Sequence, residues 1–252
     1  MSPTESVVLV LAGLAAGSIN AVAGGGSLVS FPALIAVGLP PLTANVTNSV
    51  AVWPGYVGTC WGYRCELRVQ RRRLLVLAPA ALLGAVTGCL LLLVTSPEAF
   101  ERVVPFLVVL GSLLLAVQGR VTDHVRRLPG GGNGTRSPLL HGGVAVAATY
   151  GAYFGGGLGV VLLVVLGLFV ADGLQPLNGL KSALSLLINA VALVAFSLFG
   201  PVQWASVAVL APAALLGGYL GAGLARRLDP ARLRTVVVVF GLVVGVVLLV
   251  RL

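Results

Sequence analysis

Charge is scarce in this chain, and acidic charge is the scarcest of all. Only 9% of the 252 residues are Asp, Glu, Lys or Arg, whereas 58% are apolar; soluble domains carry about 25% charged residues. A folded soluble protein of this size needs a wetted polar surface, which so few charges do not supply. The composition therefore excludes a soluble enzyme, a disordered segment and a secreted disulfide scaffold. It predicts an all-α polytopic membrane protein.

Redox, metal-binding and nucleotide-binding motifs are also missing. The three cysteines, Cys60, Cys65 and Cys89, lack C-x-x-C spacing, and the two histidines lie seventeen residues apart, without metal-ligand spacing. No G-x4-G-K-[ST] motif occurs. We therefore expect no catalytic site, no metal and no cofactor. The net charge of +9 comes from arginines in short loops between apolar runs, so no nucleic-acid partner is expected.

Long charge-free runs are what the sequence has instead. They cover residues 6–63, 74–97, 103–119, 137–171, 182–225 and 235–250. A helix that crosses a bilayer needs roughly 20 apolar residues, so the longer runs each contain more than one segment. The predicted spans are 43–63, 74–94, 103–119, 181–199, 204–225 and 235–250. Residues 6–40 and 141–172 are interpreted as helix, glycine break and helix, either re-entrant or fully crossing. This makes about eight hydrophobic segments surrounded by lipid.

An internal repeat organises the chain. The eight residues LAPAALLG at 77–84 recur at 210–217, and a glycine triplet at 24–26 recurs at 155–157. Asn45 and Ser49 match Asn178 and Ser182 at nearly the same offset. Three landmarks in one order predict a first membrane repeat at 1–120, a linker at 121–136 and a second membrane repeat at 137–252.

The arginines predict that the two repeats have inverted topology. The loop 64–73 carries five arginines and its equivalent, 197–206, carries none; the loop 95–102 carries one and its equivalent near 226–235 carries four. Because cytoplasmic loops are enriched in Lys and Arg, equivalent loops then lie on opposite sides. Each repeat consists of a Gly-broken first segment plus three spanning helices. Both termini are expected outside, and the loops 64–73, 120–136 and 226–234 in the cytoplasm.

Each repeat also places a glycine triplet before a polar cluster. Matched glycine-interrupted segments in two halves are typical of a transporter's binding site, although glycine also allows close helix packing, and both interpretations stay open here. The candidate substrate-binding residues are Gly24, Gly25, Gly26, Ser27, Asn45, Thr47, Asn48, Ser49, Gly155, Gly156, Gly157, Asn178, Lys181 and Ser182.

The chemistry of this set favours an anionic substrate. No acidic residue falls inside a predicted span, so a cation site or a proton relay built on carboxylates has no members. Amides, hydroxyls, backbone N–H groups and the single lysine, Lys181, remain, and such donors suit an anion. The alternative for Lys181 is an interfacial side chain that snorkels to the membrane surface.

The motifs of the first half resemble those of the TauE/SafE sulfite exporter family. The resemblance rests on the glycine triplet with Ser27, on Phe31-Pro32, on Ala44 to Ser49 (ANVTNS), and on Gly62-Tyr63-Arg64. It implies transport of small sulfur-containing anions such as sulfite, sulfoacetate or thiosulfate across the cytoplasmic membrane. The second copy departs from the pattern, with Leu162 where the first has Phe31.

The resulting hypothesis is a multi-pass secondary transporter of small anions that works by alternating access. A membrane thiol–disulfide conduit, a structural or assembly subunit, and a carrier of another small organic anion are the alternatives. A coupling proton or ion, the direction of transport and the oligomeric state stay open.

Overall fold

The fold consists of helices joined by short connections. A computed structural model describes residues 1–127, 134–170, 172–225 and 230–250, and every regular element in those ranges is helical. The α-helices are α1 Pro3–Val22, α2 Ser27–Ala36, α3 Pro41–Gly62, α4 Arg64–Val94, α5 Pro97–Arg127, α6 Pro138–Tyr153, α7 Leu158–Phe169, α8 Leu174–Phe199, α9 Trp204–Leu224 and α10 Pro230–Val250. A 3-10 turn at Gly134–Arg136 precedes α6.

Local sequence sets where these helices begin. Proline is the first residue of five of them, α1, α3, α5, α6 and α10, a position where its missing N–H costs nothing and its fixed φ suits a helix. At the start of α1, Ser2 and Glu5 form a capping box, which satisfies two backbone donors that a helix start leaves without partners.

Five helices are long and apolar enough to cross a membrane, counting only the described residues: α1, α4, Pro97–Gly119 of α5, α8 and α9. Three shorter apolar helices accompany them, namely α2, α7 and Arg234–Val250 of α10. The 22 residues of α3 are absent from both groups because its Asn, Thr and Ser residues dilute its hydropathy. The prediction of an all-helical, multi-pass membrane protein is confirmed, while the count of eight segments stays a prediction.

The predicted loops on either side of the second span are wrong in extent. Residues 64–73 are the first turns of α4, and α5 runs from Pro97 to Arg127. Arg, Gln, Leu and Glu are good helix formers, so leaving the hydrocarbon does not end the helix. At 31 residues each, α4 and α5 are about 46 Å long, well beyond the roughly 30 Å of hydrocarbon. Residues 128–133 of the linker, and 226–229 of the predicted loop 226–234, lie outside the described residues; α10 begins at Pro230.

The broken first helix of each half packs against a helix of the other half. α1 and α9 run in the same direction: Gly17 contacts the Ala214 carbonyl, and the Ser18 hydroxyl donates to the Gly217 carbonyl at 3.1 Å. α6 and α4 run in the same direction as well, with Gly84 against Ala145. Glycines on these faces let the backbones approach closely, as is common in membrane helix pairs.

Two pairs of neighbouring helices, α3 with α8 and α5 with α10, run in opposite directions. The start of α3 lies beside the end of α8, since Thr47 accepts a hydrogen bond from the Gln203 N–H at 3.0 Å. The far end of α3 and the start of α4 lie beside the start of α8, near Gly179. In the α5–α10 pair, Val109 lies against Gly245 and Gly119 against Arg234, so these helices are antiparallel too.

A polar contact holds the connection between α7 and α8. The Asp172 carboxylate accepts hydrogen bonds from Gln70 and Arg73 of α4. Arg73 and Asp172 are each about one quarter exposed (25% and 24%). The pair fixes the entry to α8, the helix that carries Lys181.

Candidate functional site

The two glycine breaks meet inside the helix bundle. The Gly159 N–H donates to the Gly24 carbonyl at 3.2 Å, and a Cβ built on Gly24 comes within 2.5 Å of the Gly159 Cα. Gly24, Gly155 and Gly157 have φ values of +89°, +79° and +84°, a region that side chains other than glycine rarely adopt. These glycines therefore allow both the turns and the close crossing of the two segments of the chain.

Within the first triplet, the three glycines have different surroundings. The Gly26 N–H donates to Asn20 Oδ1 at 2.8 Å, and a Cβ there would run into the Ala16 carbonyl. A Cβ on Gly25 would meet only side-chain methyl groups, the nearest on Leu115 at 3.1 Å. Gly24 and Gly26 are thus fixed by backbone contacts, whereas Gly25 has flexible neighbours.

The second triplet lies against the first. The Tyr150 hydroxyl donates to the Gly156 carbonyl, and a Cβ on Gly155 would stand 3.6 Å from the hydroxyl oxygen of the buried Ser27. The predicted residues Ser27 and Gly155–Gly157 are therefore brought together with Gly24 by the crossing.

Lys181 is buried beside the first break. It lies in the second turn of α8, its side chain is 1% exposed, and its ammonium donates to the Asn20 carbonyl at 3.4 Å. No other Asp, Glu, Lys or Arg is buried among the residues whose burial is described. A snorkelling lysine requires an exposed ammonium, so that interpretation is wrong. A buried ammonium with one long hydrogen bond is costly, and an anion beside it would offset the cost.

Asn45 and Asn48 connect α3 to both breaks. Asn45 Nδ2 donates to the Tyr153 carbonyl at the end of α6 at 2.8 Å, and Asn48 Oδ1 accepts from the Ser30 hydroxyl of α2 at 2.5 Å. Both asparagines are fully buried. They hold the ends of the broken helices in place, and Asn45 Oδ1 has no hydrogen-bond partner in the structure.

The hydroxyls of the polar clusters serve helix structure. The Ser49 hydroxyl donates to the Asn45 carbonyl at 3.0 Å, and the Ser182 hydroxyl to the Asn178 carbonyl at 2.7 Å. The Thr47 hydroxyl oxygen accepts the Gln203 N–H, at the connection between α8 and α9. Asn178 Oδ1, by contrast, is buried and has no partner. Of the second cluster, Lys181 therefore keeps donor capacity for a ligand, whereas the free atom of Asn178 is an acceptor.

Two residues of this region were missed by the sequence analysis. Asn20 joins the network from α1: its carbonyl accepts from Lys181, its Oδ1 accepts from Gly26, and its Nδ2 is buried without a partner. Ser30 joins it from α2. The available signal was that each is polar in the otherwise apolar stretch 6–40, one turn before or after the glycine triplet.

The arrangement offers an anion both a charge and uncharged donors. Lys181 Nζ bonds to the backbone carbonyl of Asn20, and the side-chain Nδ2 of the same asparagine is buried without a partner. No group of three or more His, Cys, Asp or Glu suited to a metal ion occurs within the described part of the chain. Hydrogen-bond donors and one ammonium are groups whose chemistry suits reversible binding of a small anion.

The comparisons with known proteins agree with a transport role. A "Probable membrane transporter protein" of Haemophilus influenzae is 25% identical over 92% of this chain and 89% of its own length. "Probable membrane transporter protein ORF9" of Sinorhizobium sp is 27% identical, covering 97% and 90%. "Probable membrane transporter protein YfcA" of Escherichia coli K12 is 27% identical, covering 90% and 82%.

No solved structure gives a significant match. The family model for the sulfite exporter TauE/SafE matches residues 9–248, a range that includes both glycine triplets, both polar clusters and all or most of each described helix. The chain, an integral multi-pass membrane protein, therefore belongs to the TauE/SafE sulfite exporter family.

Proposed function

We propose that this protein is a secondary transporter that moves small sulfur-containing anions, such as sulfite or sulfonates, across the cytoplasmic membrane. The observation that carries the proposal is the buried ammonium of Lys181, which donates to one backbone carbonyl at 3.4 Å. Such a charge needs a counter-charge, and every Asp or Glu residue whose burial is described is at least partly exposed. The family description as a sulfite exporter supplies the substrate class.

The proposed mode of transport is alternating access between two inverted repeats, 1–120 and 137–252, joined by a cytoplasmic linker. The opposite directions of α3 and α8, and of α5 and α10, support inversion. So does the exchange of partners, α1 with α9 and α6 with α4. In transporters of this kind the substrate lies where the discontinuous helices of the two repeats meet.

At this meeting point, some residues bind the anion and others position the broken helices. Lys181 supplies the charge that attracts the anion, and Asn20 supplies an amide donor from the opposite helix. Asn45 and Asn48 hold the ends of α6 and α2, so they set the geometry of the breaks. Because the region is buried, the electrostatic attraction is screened less than it would be in water.

Proteoliposomes test the substrate class. Purified full-length protein is reconstituted, and uptake of labelled sulfite, sulfoacetate and sulfate is compared with uptake of acetate. We expect saturable uptake of at least one sulfur oxyanion, competition among the sulfur anions, and loss of uptake in Lys181→Gln. The matched control, Arg102→Gln, removes an exposed charge at the start of α5 and should behave as wild type. Equal and unsaturable uptake of all four anions contradicts the proposal.

Cysteine labelling tests the inversion. In a variant whose three cysteines are replaced by Ser, a single cysteine is introduced at Arg68 or at its repeat equivalent, Pro201. Intact right-side-out vesicles are treated with an impermeant thiol reagent. We expect labelling at 201 and protection at 68. Labelling of both positions, or of neither, indicates parallel repeats.

A further inference from the structure

A groove of about 450 Å³ opens on the outer face of the bundle, and none of the glycines of the two breaks lines it. Its walls come from the end of α3, the first turns of α4 and the middle of α8. The walls are mainly apolar, formed by Val57, Leu67, Leu74 and Leu186. An apolar groove on the outside of a membrane-spanning bundle is filled by lipid chains in the membrane.

Three arginines line the same groove. Arg64, Arg68 and Arg71 are all exposed, and their spacing of four and three residues places them on one face of α4. Arg64 also donates to the carbonyl of Trp61, an aromatic residue that is 64% exposed. Exposed Trp beside Arg is typical of the membrane–water interface. The groove therefore runs from hydrocarbon into a cluster of guanidinium groups.

We propose that this groove is a specific site for a phospholipid with an anionic headgroup. One acyl chain lies against the apolar wall, and the phosphate is bound by the guanidinium groups of Arg64, Arg68 and Arg71. Guanidinium groups match phosphate oxygens in geometry and charge, and basic residues at the membrane surface bind anionic lipid headgroups. A free soluble anion fits less well, because the apolar wall offers it no partner.

The second membrane repeat lacks the charged part of such a site. The positions 133 residues later carry Ser197, Pro201 and Trp204, with no positive charge among them. An arginine cluster is therefore present at one end of the bundle and absent from the equivalent positions. The lipid site is expected once per chain, on the arginine-bearing side.

Native mass spectrometry of the detergent-purified full-length protein tests the proposal without any transport measurement. Phosphatidylglycerol is titrated against phosphatidylcholine of the same chain length, and inorganic phosphate is titrated alone. We expect wild type to bind one phosphatidylglycerol at least tenfold more tightly than phosphatidylcholine, and phosphate not to compete. The R64Q/R68Q/R71Q variant should lose this preference, whereas R72Q/R102Q/R136Q, which removes as much charge outside the groove, should keep it.

A second variant isolates the apolar wall. Leu186→Trp fills the groove and keeps every arginine, so it should weaken phosphatidylglycerol binding at least tenfold, and it carries the test alone if the triple variant does not fold. Equal phosphatidylglycerol binding by wild type and either groove variant overturns the proposal. Competition by inorganic phosphate also overturns it, since it indicates a free-anion site instead.

Discussion

Replacing Lys181 by Gln removes the one fully buried charged residue among those whose burial is described, and it preserves much of the side chain's length and hydrogen-bonding capacity. The ammonium donates a long hydrogen bond to the Asn20 carbonyl, at 3.4 Å, and its charge stays available to an anion. A monoanion about 4 Å away gains about 4 kcal/mol at an effective dielectric constant of 20. Desolvation of both charges offsets a large part of this gain.

A net loss of at least about 1.4 kcal/mol, or tenfold in affinity, is therefore expected for Lys181→Gln. Competition binding with sulfite and sulfate measures it, and the preference for dianions over monoanions should fall as well. Arg is a poor replacement here, because its planar fork needs different space and partners.

In the absence of substrate, loss of the Lys181 charge should not weaken the protein: thermal stability should stay equal or rise. Lys181→Met removes a buried charge that lacks an ionic partner, and such replacements are often neutral or stabilising. We expect the Tm of the substrate-free Met variant to equal or exceed that of wild type. Unchanged anion affinity in both the Gln and the Arg variants refutes the reasoning, and a lower Tm for the Met variant points to a structural role instead.

Five further substitutions follow from the surroundings of single residues. Gly25→Ala should fold normally, because its new methyl group meets only side chains. It should nevertheless lose transport, since Gly25 lies in the first break, where the anion is proposed to bind. Gly24→Ala should instead lower the free energy of unfolding by about 1–3 kcal/mol, measured by denaturant titration in detergent. Gly17→Ala places its Cβ against a carbonyl of α9 and should cost about 1–3 kcal/mol, while Gly142→Ala, with open space around it, should cost nothing. Arg73→Gln should cost less than about 1 kcal/mol, and high salt should abolish the difference.

The sequence was sufficient to place the glycine breaks and the apolar part of each spanning helix, but not the ends of the helices or how they pair. The predicted break at residues 24–26 lies between α1 and α2, and the predicted break at 155–157 lies between α6 and α7. Both were visible because glycine triplets interrupt apolar runs. The predicted loop 64–73 failed because charge was taken to end a helix, and arginine instead continues it beyond the hydrocarbon.

The sequence predicted which residues belong to the candidate site better than it predicted what those residues contact. Lys181 was named because it is the only lysine, and its burial could not be read from the sequence. Asn20 was missed, since one amide in an apolar segment has no periodic signal; it became visible only when α1 packed beside α8. Thr47 was included as a substrate-binding candidate because it belongs to the polar cluster. Its hydroxyl instead accepts a hydrogen bond from the connection between α8 and α9. The roles of all these residues stay predictions.

The pairing of α1 with α9 has a consequence for how the protein is made. Gly217, which accepts the hydrogen bond of Ser18, comes 199 residues later in the chain. At about 5–20 residues per second, α1 is in the membrane for roughly 10–40 s before its permanent neighbour is synthesised. During that interval the glycine face of α1 has only lipid or the insertion machinery to contact. The first half made alone should therefore be a target for membrane quality control, and should become stable when the second half is supplied as a separate chain.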